Sequence, residues 1–337
     1  MNAWMVRAGE GGRYFENFRT RSFVGLGWRL AGDIRGLPSR EEVFGRVKEA
    51  YSDRKDQSNF VSASILYRFA QVVAPGDRVV TYDPGARSYL CGTITGDCTY
   101  HPEEEVEEFQ NQRAVQWSHE RARDELSIAA RNTLGATLSL FAIAEAFAQE
   151  LWGKRPEQSD NLSPIEATKA DAPLVLTAAN DRQVAEAATE AIKDMIAALD
   201  WAQMQELVAG LLRSMGYKAT VSPQGADRGK DILASPDGFG FQEPRIVVEV
   251  KHRVRERMSS QAIRSFLGGR HARDKGLFVS TGGFTTDALY EAERASIPLT
   301  LLDFDGLVAA ILANYARFDE ESRQLLPLRT VYWPISR

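Results

Sequence analysis

The sequence predicts a two-domain protein. An N-terminal α+β domain occupies residues 1–152, and a C-terminal α/β domain over 200–337 has a mixed central sheet flanked by helices. Three observations carry this expectation. A length of 337 residues suits two ordinary domains. Residues 153–180, which begin GKRPEQSDNLSPIEATKADAP, change character: this stretch is rich in Pro, Ser, Asp and Lys and has no apolar period, which reads as a linker. From 200 to 312, helical and strand-like segments alternate, the pattern of a sheet with helices packed on it.

Within the first domain, Trp4-Met5-Val6 and Phe23 to Trp28 read as short strands. Helices are expected at Arg40 to Tyr51 and Ser62 to Gln71. Gly76 to Tyr82 is a turn and an alternating strand. Asp83-Pro84-Gly85 turns the chain into a returning strand, Ser88 to Thr95. Glu103 to Glu108 is an acidic run, read as a solvated edge. A helix from Gly135 to Trp152 closes the domain. After the linker, Asp181 to Leu199 is an alanine-rich amphipathic helix.

The second domain opens on a helix, Trp201 to Met215, with apolar residues at 204, 207, 208, 211 and 212 on one face, ended by Gly216. Strands follow at Tyr217 to Ser222 and Lys230 to Ala234. A turn at Pro236-Asp237-Gly238 leads to the central strand RIVVEVKH, Arg245 to His252. Then come helix Ser259 to Leu267, strand Gly276 to Ser280, helix Thr285 to Ala295 and strand Leu299 to Asp303.

Composition narrows the class. The chain is 44% hydrophobic and 26% charged, as soluble globular proteins are. No run of about 18 apolar residues is present, so no membrane partner is expected. The start, MNAWMVRAGEGG, lacks a signal-peptide pattern. Cys91 and Cys98, without a nearby histidine pair, read as structural thiols suited to a reducing cytoplasm. The net charge of −5 excludes a globally basic coat but not a local basic groove.

The central strand carries the chemistry. Glu249 and Lys251 are two apart, so both side chains leave one face, while Val248 and Val250 enter the core on the other. A charged pair on an otherwise apolar strand is expensive unless compensated. It is either a buried ion pair or part of a site. Asp231 opens an upstream strand, and the turn at 236–240 brings it beside Glu249. Two carboxylates and a lysine are the parts that phosphodiester hydrolysis needs: ligands for a divalent metal and a cation for the developing charge. Magnesium, with manganese able to substitute, suits such hard oxygen donors.

A set of motifs accompanies these residues: Glu206 on the first helix, Leu211-Leu212-Arg213-Ser214-Met215-Gly216-Tyr217, Gly225-Ala226-Asp227-Arg228-Gly229-Lys230-Asp231-Ile232, Val247-Val248-Glu249-Val250-Lys251, Gln261, and Val279 to Ala288. In these, residues 200–312 resemble the Mrr-type catalytic domain of the PD-(D/E)XK nuclease superfamily. The resemblance implies a restriction-endonuclease-like fold and cleavage of double-stranded DNA, often with modified bases. It implies Asp231 and Glu249 as metal ligands, Lys251 as the catalytic lysine, and Glu206 and Gln261 as further site residues. Asp227 reads as loop-shaping. His252 leaves the opposite strand face, and is read as packed rather than catalytic.

From Arg245 to Lys275 there are nine Lys or Arg against three Asp or Glu. Arg253, Arg255, Arg257 and Arg264 are the expected phosphate contacts. Such contacts do not specify where an enzyme acts, which leaves reading to the first domain. Gly76-Asp77, Tyr82 and Gly92, with their apolar spacing, make it similar to PUA-like β-barrels, including the EVE type. That resemblance implies a base pocket built from Trp4, Phe23, Trp28 and Tyr82, with Asp33 on a base edge. The expected function is a magnesium-dependent, type IV-like restriction endonuclease acting on modified DNA, as a homodimer or transient dimer. The alternatives are a structure-specific repair or junction nuclease and a non-cleaving DNA-binding module.

Overall fold

The computed structural model describes residues 1–104, 109–136, 138–153, 178–222 and 231–331. Most of the expected linker, part of the acidic run and the loop holding Asp227 lie outside the described residues. The chain divides into two compact units, Met1–Ala187 and the part from Ala188 onward.

The first unit is built on strands β1 (Ala3–Val6), β2 (Phe23–Leu26), β3 (Arg78–Asp83), β4 (Ser88–Ile94), β5 (Thr99–Tyr100), β6 (Asn111–Ala122) and β7 (Leu140–Ile143). They form one seven-stranded sheet in the order β2-β6-β4-β3-β1-β7, with β5 also on β6. The β1–β3 pair is parallel and the others are antiparallel. Strand β6 pairs with β2 through residues 111–114 and with β4 through 115–122, so one long strand joins both parts of the sheet. Gly92 sits at the register shift of β4. A Cβ there would lie 2.7 Å from the Gln116 carbonyl oxygen, so the close strand approach requires glycine.

The period-2 alternation of these strands splits the core. Trp4, Val6, Val79, Leu90 and Ile94 face one cluster, with α1 (Phe15–Arg21), α2 (Arg40–Ala50) and α3 (Asp56–Tyr67) supplying further apolar side chains. Ala3, Met5, Val80, Tyr82, Tyr89 and Cys91 face the other, with α4 (Ile128–Leu134) and α5 (Glu145–Trp152). The expected helix over 135–152 is therefore corrected. Leu140–Ile143 is strand β7, paired antiparallel with β1 from Ala3↔Ile143 to Val6↔Leu140, and only 145–152 is helical. The apolar run served two elements, which periodicity alone does not separate. Both cysteines are free and buried.

The second unit follows the expected order: α6 (Ala178–Ala197, entering from the first unit), α7 (Trp201–Ser214), β8 (Lys218–Val221), β9 (Ile232–Ser235), β10 (Arg245–Lys251), α8 (Ser260–Leu267), β11 (Asp274–Ser280), α9 (Thr286–Glu293) and β12 (Leu299–Leu302). Helices α10 (Phe304–Asn314) and α11 (Glu320–Leu325) follow. The sheet order is β12-β11-β10-β9-β8. Strands β8–β9–β10 form an antiparallel meander, and β10–β11–β12 run parallel with α8 and α9 as crossovers. Val248, Val250 and Val279 pack with α7 and α10 on one face. Val247 and Phe278 pack with α8 and α9 on the other. This mixed sheet between helical layers is a restriction-endonuclease-like fold. Helix α7 starts at a capping box between Asp200 and Gln203.

Candidate active site

Alternation along β10 puts Arg245, Val247, Glu249 and Lys251 on the face that α8 and α9 cover, and Val248 and Val250 in the opposite core. Asp231 stands one residue before β9. Its N–H donates to the Val248 carbonyl at 2.9 Å, and its Oδ2 accepts the Val250 N–H at 2.6 Å. The ladder itself thus fixes this carboxylate beside Glu249.

Both carboxylates are 8% exposed. Lys251 Nζ lies 2.6 Å from Glu249 Oε1. Burial pushes the Glu249 carboxyl above the usual range; Lys251 opposes the shift, and the nearby Asp231 adds to it. Two buried carboxylates side by side are hard-oxygen donors suited to a divalent cation. Among the described residues no group of three or more His, Cys, Asp or Glu gathers as a metal cluster. Two protein carboxylates suit magnesium, which commonly takes one or two and completes its shell with water and phosphate oxygens.

Arg270, one of the nine Lys or Arg between 245 and 275, contributes to the site as well. Its guanidinium stacks 4.3 Å from the Phe266 ring centroid and lies in the electrostatic field of Glu249 and Asp231. The turn Gly268-Gly269 before it was the available signal, since it ends α8 and returns the chain toward β11.

The other expected site residues are placed differently. Glu206 on α7 is ion-paired with Arg213 at 2.6 Å, and Arg213 also binds Asp319 at 2.7 Å, so Glu206 belongs to a clamp between α7 and the start of α11. Gln261 is exposed on α8, its Oε1 accepting from Arg264 at 3.2 Å. His252 is held by the Leu199 carbonyl at 3.0 Å and Thr281 Oγ1 at 3.3 Å. Arg253 pairs with Glu256 at 2.9 Å and Arg264 with Glu291 at 2.9 Å. Arg255 and Arg257 are exposed.

Of the five residues expected to form a base pocket, Trp4, Phe23 and Trp28 share one core cluster, and Tyr82 lies in the cluster of the other sheet face. Trp4 is buried, its indole N–H donating to Asp77 Oδ2 at 2.9 Å. Phe23 is buried edge-on against Phe18, with centroids 5.0 Å apart. Tyr82 packs on Tyr89 in the cluster of the opposite sheet face. Asp33 is occupied by Arg35 at 2.6 Å. These aromatics fill core because each falls on an inward strand position. Trp28 differs: it is half-buried and has φ 70°, a left-handed conformation rare for a bulky residue. The loop after it is tied down by Asn111, whose Nδ2 donates to the Gly32 carbonyl at 2.9 Å.

Residues 196–311 match the family model Mrr_cat, described as restriction endonuclease. Residues 4–143 match a domain of unknown function, DUF8426. A curated relative, the uncharacterized protein y4cE of Sinorhizobium fredii (strain NBRC 101917 / NGR234), is 32% identical over 98 residues, 28% of this chain. The match spans about a quarter of that relative's length (25%). Among solved structures, MspJI restriction endonuclease in complex with a 27-mer oligonucleotide aligns with TM-score 0.28 and 12% identity over 79% of this chain and 69% of that one. The DNA modification-dependent restriction endonuclease AspBHI aligns with TM-score 0.32 and 16% identity over 82% and 74%. At these scores the class assignment rests on the family match and the strand order. Fold and family together define the second unit as a restriction-endonuclease domain. It is the Mrr catalytic type, in agreement with the resemblance drawn from its motifs.

Proposed function

We propose that this protein is a magnesium-dependent endonuclease that hydrolyses DNA phosphodiester bonds, a type IV-like restriction enzyme whose first unit reads modified bases. The observation that carries the reading is the constellation on β9 and β10: Asp231 fixed by the Val250 N–H at 2.6 Å, and Glu249 beside it with Lys251 at 2.6 Å.

Asp231 and Glu249 would hold the metal, which when bound lowers the pKa of a water and shields phosphate charge. Lys251 is 35% exposed at its side chain, so its ammonium reaches both Glu249 and the solvent side where a phosphate approaches. There it stabilises the negative charge that develops on the phosphoryl oxygens. Val247 and the side chains of α8 and α9 exclude water from the inner side of the pair, which strengthens these interactions. The exposed Arg255 and Arg257 contact the DNA backbone near the end of β10. Cutting both strands needs two such sites, so a homodimer or transient pairing on DNA is expected.

The test is cleavage of plasmids with and without methylated or hydroxymethylated cytosine, in Mg2+, in Mn2+ and in EDTA. The expected result is metal-dependent cutting of a modified plasmid, lost in Asp231→Ala and Lys251→Ala. DNA binding without cleavage of any substrate would sink the nuclease reading. Cleavage that survives either substitution would sink the assignment of the site.

A further inference from the structure

The loop between β9 and β10 presents two phenylalanines to solvent. Phe239 is 77% and Phe241 89% exposed, and their rings stack with centroids 6.1 Å apart and planes 24° apart. The loop is held from within. Asp237 Oδ1 accepts the N–H groups of Phe239 and Gly240 at 3.1 and 3.0 Å, and Oδ2 those of Phe241 and Gln242 at 3.1 and 3.2 Å. Ser235 Oγ donates to Asp237 at 2.8 Å and accepts from Gly238 and Gly240 at 3.0 Å. Gly238 and Gly240, at φ 79° and 80°, supply turns that place both rings on the same outer side. The backbone donors of 238–242 are satisfied inside the loop, so what it offers a partner is its pair of aromatic faces.

The surroundings indicate which partner. Lys218 and Arg245 side chains lie against Gly238 and Gly240. Arg273, with its side chain 88% exposed, lies 3.8 Å from Glu243. The Asp237 carboxylate is spent on backbone donors and held down at about 2. Flat apolar rings flanked by cations match stacked bases bordered by phosphates. The loop also shares its strands with the carboxylates. Asp231 stands four residues before Ser235, and Glu249 four after Arg245. At ~3.3 Å per residue the strands alone set the base of the loop roughly 13 Å from the carboxylates, or about four base pairs at ~3.4 Å each, and the rings stand at the far end of the loop.

We propose that Phe239 and Phe241 form a wedge that inserts between base steps of the DNA substrate a few base pairs from the scissile phosphate. This rests on the nuclease reading for its partner, DNA, but not on catalysis.

The test uses the full chain, Ca2+ in place of Mg2+, and fluorescein-labelled 40-bp duplexes, unmodified and hydroxymethylated. Phe239→Ser/Phe241→Ser keeps every loop hydrogen bond named above, since none of them uses the side chain of 239 or 241. It is expected to weaken Kd at least tenfold by anisotropy, with unchanged circular dichroism. Phe239→Trp/Phe241→Trp is expected to retain binding, with the new indoles quenched on adding DNA. 2-Aminopurine placed at spaced positions in the duplex is expected to brighten with the wild type at one step and not with the serine variant. An unchanged Kd, or no brightening at any position with the wild type, overturns the proposal. So does a wild-type dimer in sedimentation that the serine variant converts to monomer without DNA, which would make the loop a self-association surface. Binding and brightening without cleavage in Mg2+ would leave the wedge standing and reject the nuclease reading.

Discussion

Glu249 shows how a site residue stores a stability cost. The folded chain holds its carboxyl proton to a higher pH than the unfolded chain, because burial penalises the charge and Asp231 adds to it. The penalty is absent below the ordinary carboxylate pKa and fully present above the raised one, so it applies at neutral pH. Glu249→Gln removes the charge at nearly constant shape, and leaves Lys251, whose side chain is 35% exposed, able to hydrate. The variant is expected to melt higher than the wild type at pH 7, and no higher below pH 4, while cleavage falls by about 10²–10³-fold or more. Differential scanning calorimetry at the two pH values checks the first outcome and a plasmid assay the second. A lower melting temperature at pH 7 would mean that the Lys251 pair outweighs the burial penalty. Asp231 follows another logic, since its Oδ2 receives the Val250 N–H. Asp231→Ala should cost stability as well as activity, because that buried donor loses its acceptor.

At the scale of elements, the loop after β10 is held by one glycine. A Cβ on Gly282 would lie 2.2 Å from the Glu256 carbonyl oxygen and 2.3 Å from that of Arg253. Backbone atoms cannot swing aside as a side-chain tip can, so Gly282→Ala must displace the segment carrying Arg253, Arg255 and Arg257. The expected cost is about 1–3 kcal/mol, a drop in melting temperature of roughly 2–4 °C per kcal/mol, together with weaker DNA binding. A second element, α11, is clamped to α7 through Asp319. Burial alone would raise its carboxyl, but hydrogen bonds from Arg213 and Ser322 hold it at about 2. The clamp's contribution is complete above the ordinary carboxylate pKa and is lost as pH falls toward 2. Asp319→Asn should therefore be less stable than the wild type at pH 6, with the gap closing by pH 2 in chemical unfolding. The same contacts explain what was legible beforehand. The second unit could be read in order because its helices and strands carry unmixed periods and clear stops, as at Gly216. Its Glu249–Lys251 pair followed from the two-residue spacing on β10. The first unit was harder. Strand β6 is largely polar and charged (Asn111, Arg113, Gln116, Glu120), and its pairing, not its apolar pattern, makes it a strand. Leu140–Ile143 reads equally as helix until β1 is there to pair with it. Trp4, Phe23 and Tyr82 carried the right chemistry for a base pocket, but the face each side chain leaves is set by strand register, which composition does not report.

For the whole molecule, a net charge of −5 sets a condition on DNA binding. Screening confines exposed charges to about 8–10 Å at physiological salt, so attraction must come from local clusters rather than from the total. The segment after β10 supplies one, and its members are not equivalent. Arg253 and Arg264 already face Glu256 and Glu291, so each must leave or share a carboxylate to reach a phosphate, whereas Arg257 is exposed. Each phosphate neutralised contributes about −0.9 to the slope of log binding constant against log salt. Arg257→Gln is thus expected to flatten the slope by close to 0.9. Arg253→Gln and Arg264→Gln should flatten it by less, because those variants free Glu256 and Glu291 to repel the backbone at all salt concentrations. Substituting all four of Arg253, Arg255, Arg257 and Arg264 should flatten it by no more than about 3.6. The measurement is anisotropy titration in Ca2+ from about 50 to about 400 mM KCl, over which the Debye length shortens by somewhat less than threefold. If the quadruple variant kept the wild-type slope, the phosphates would be held elsewhere, and the basic segment would be a solvated loop with no part in binding.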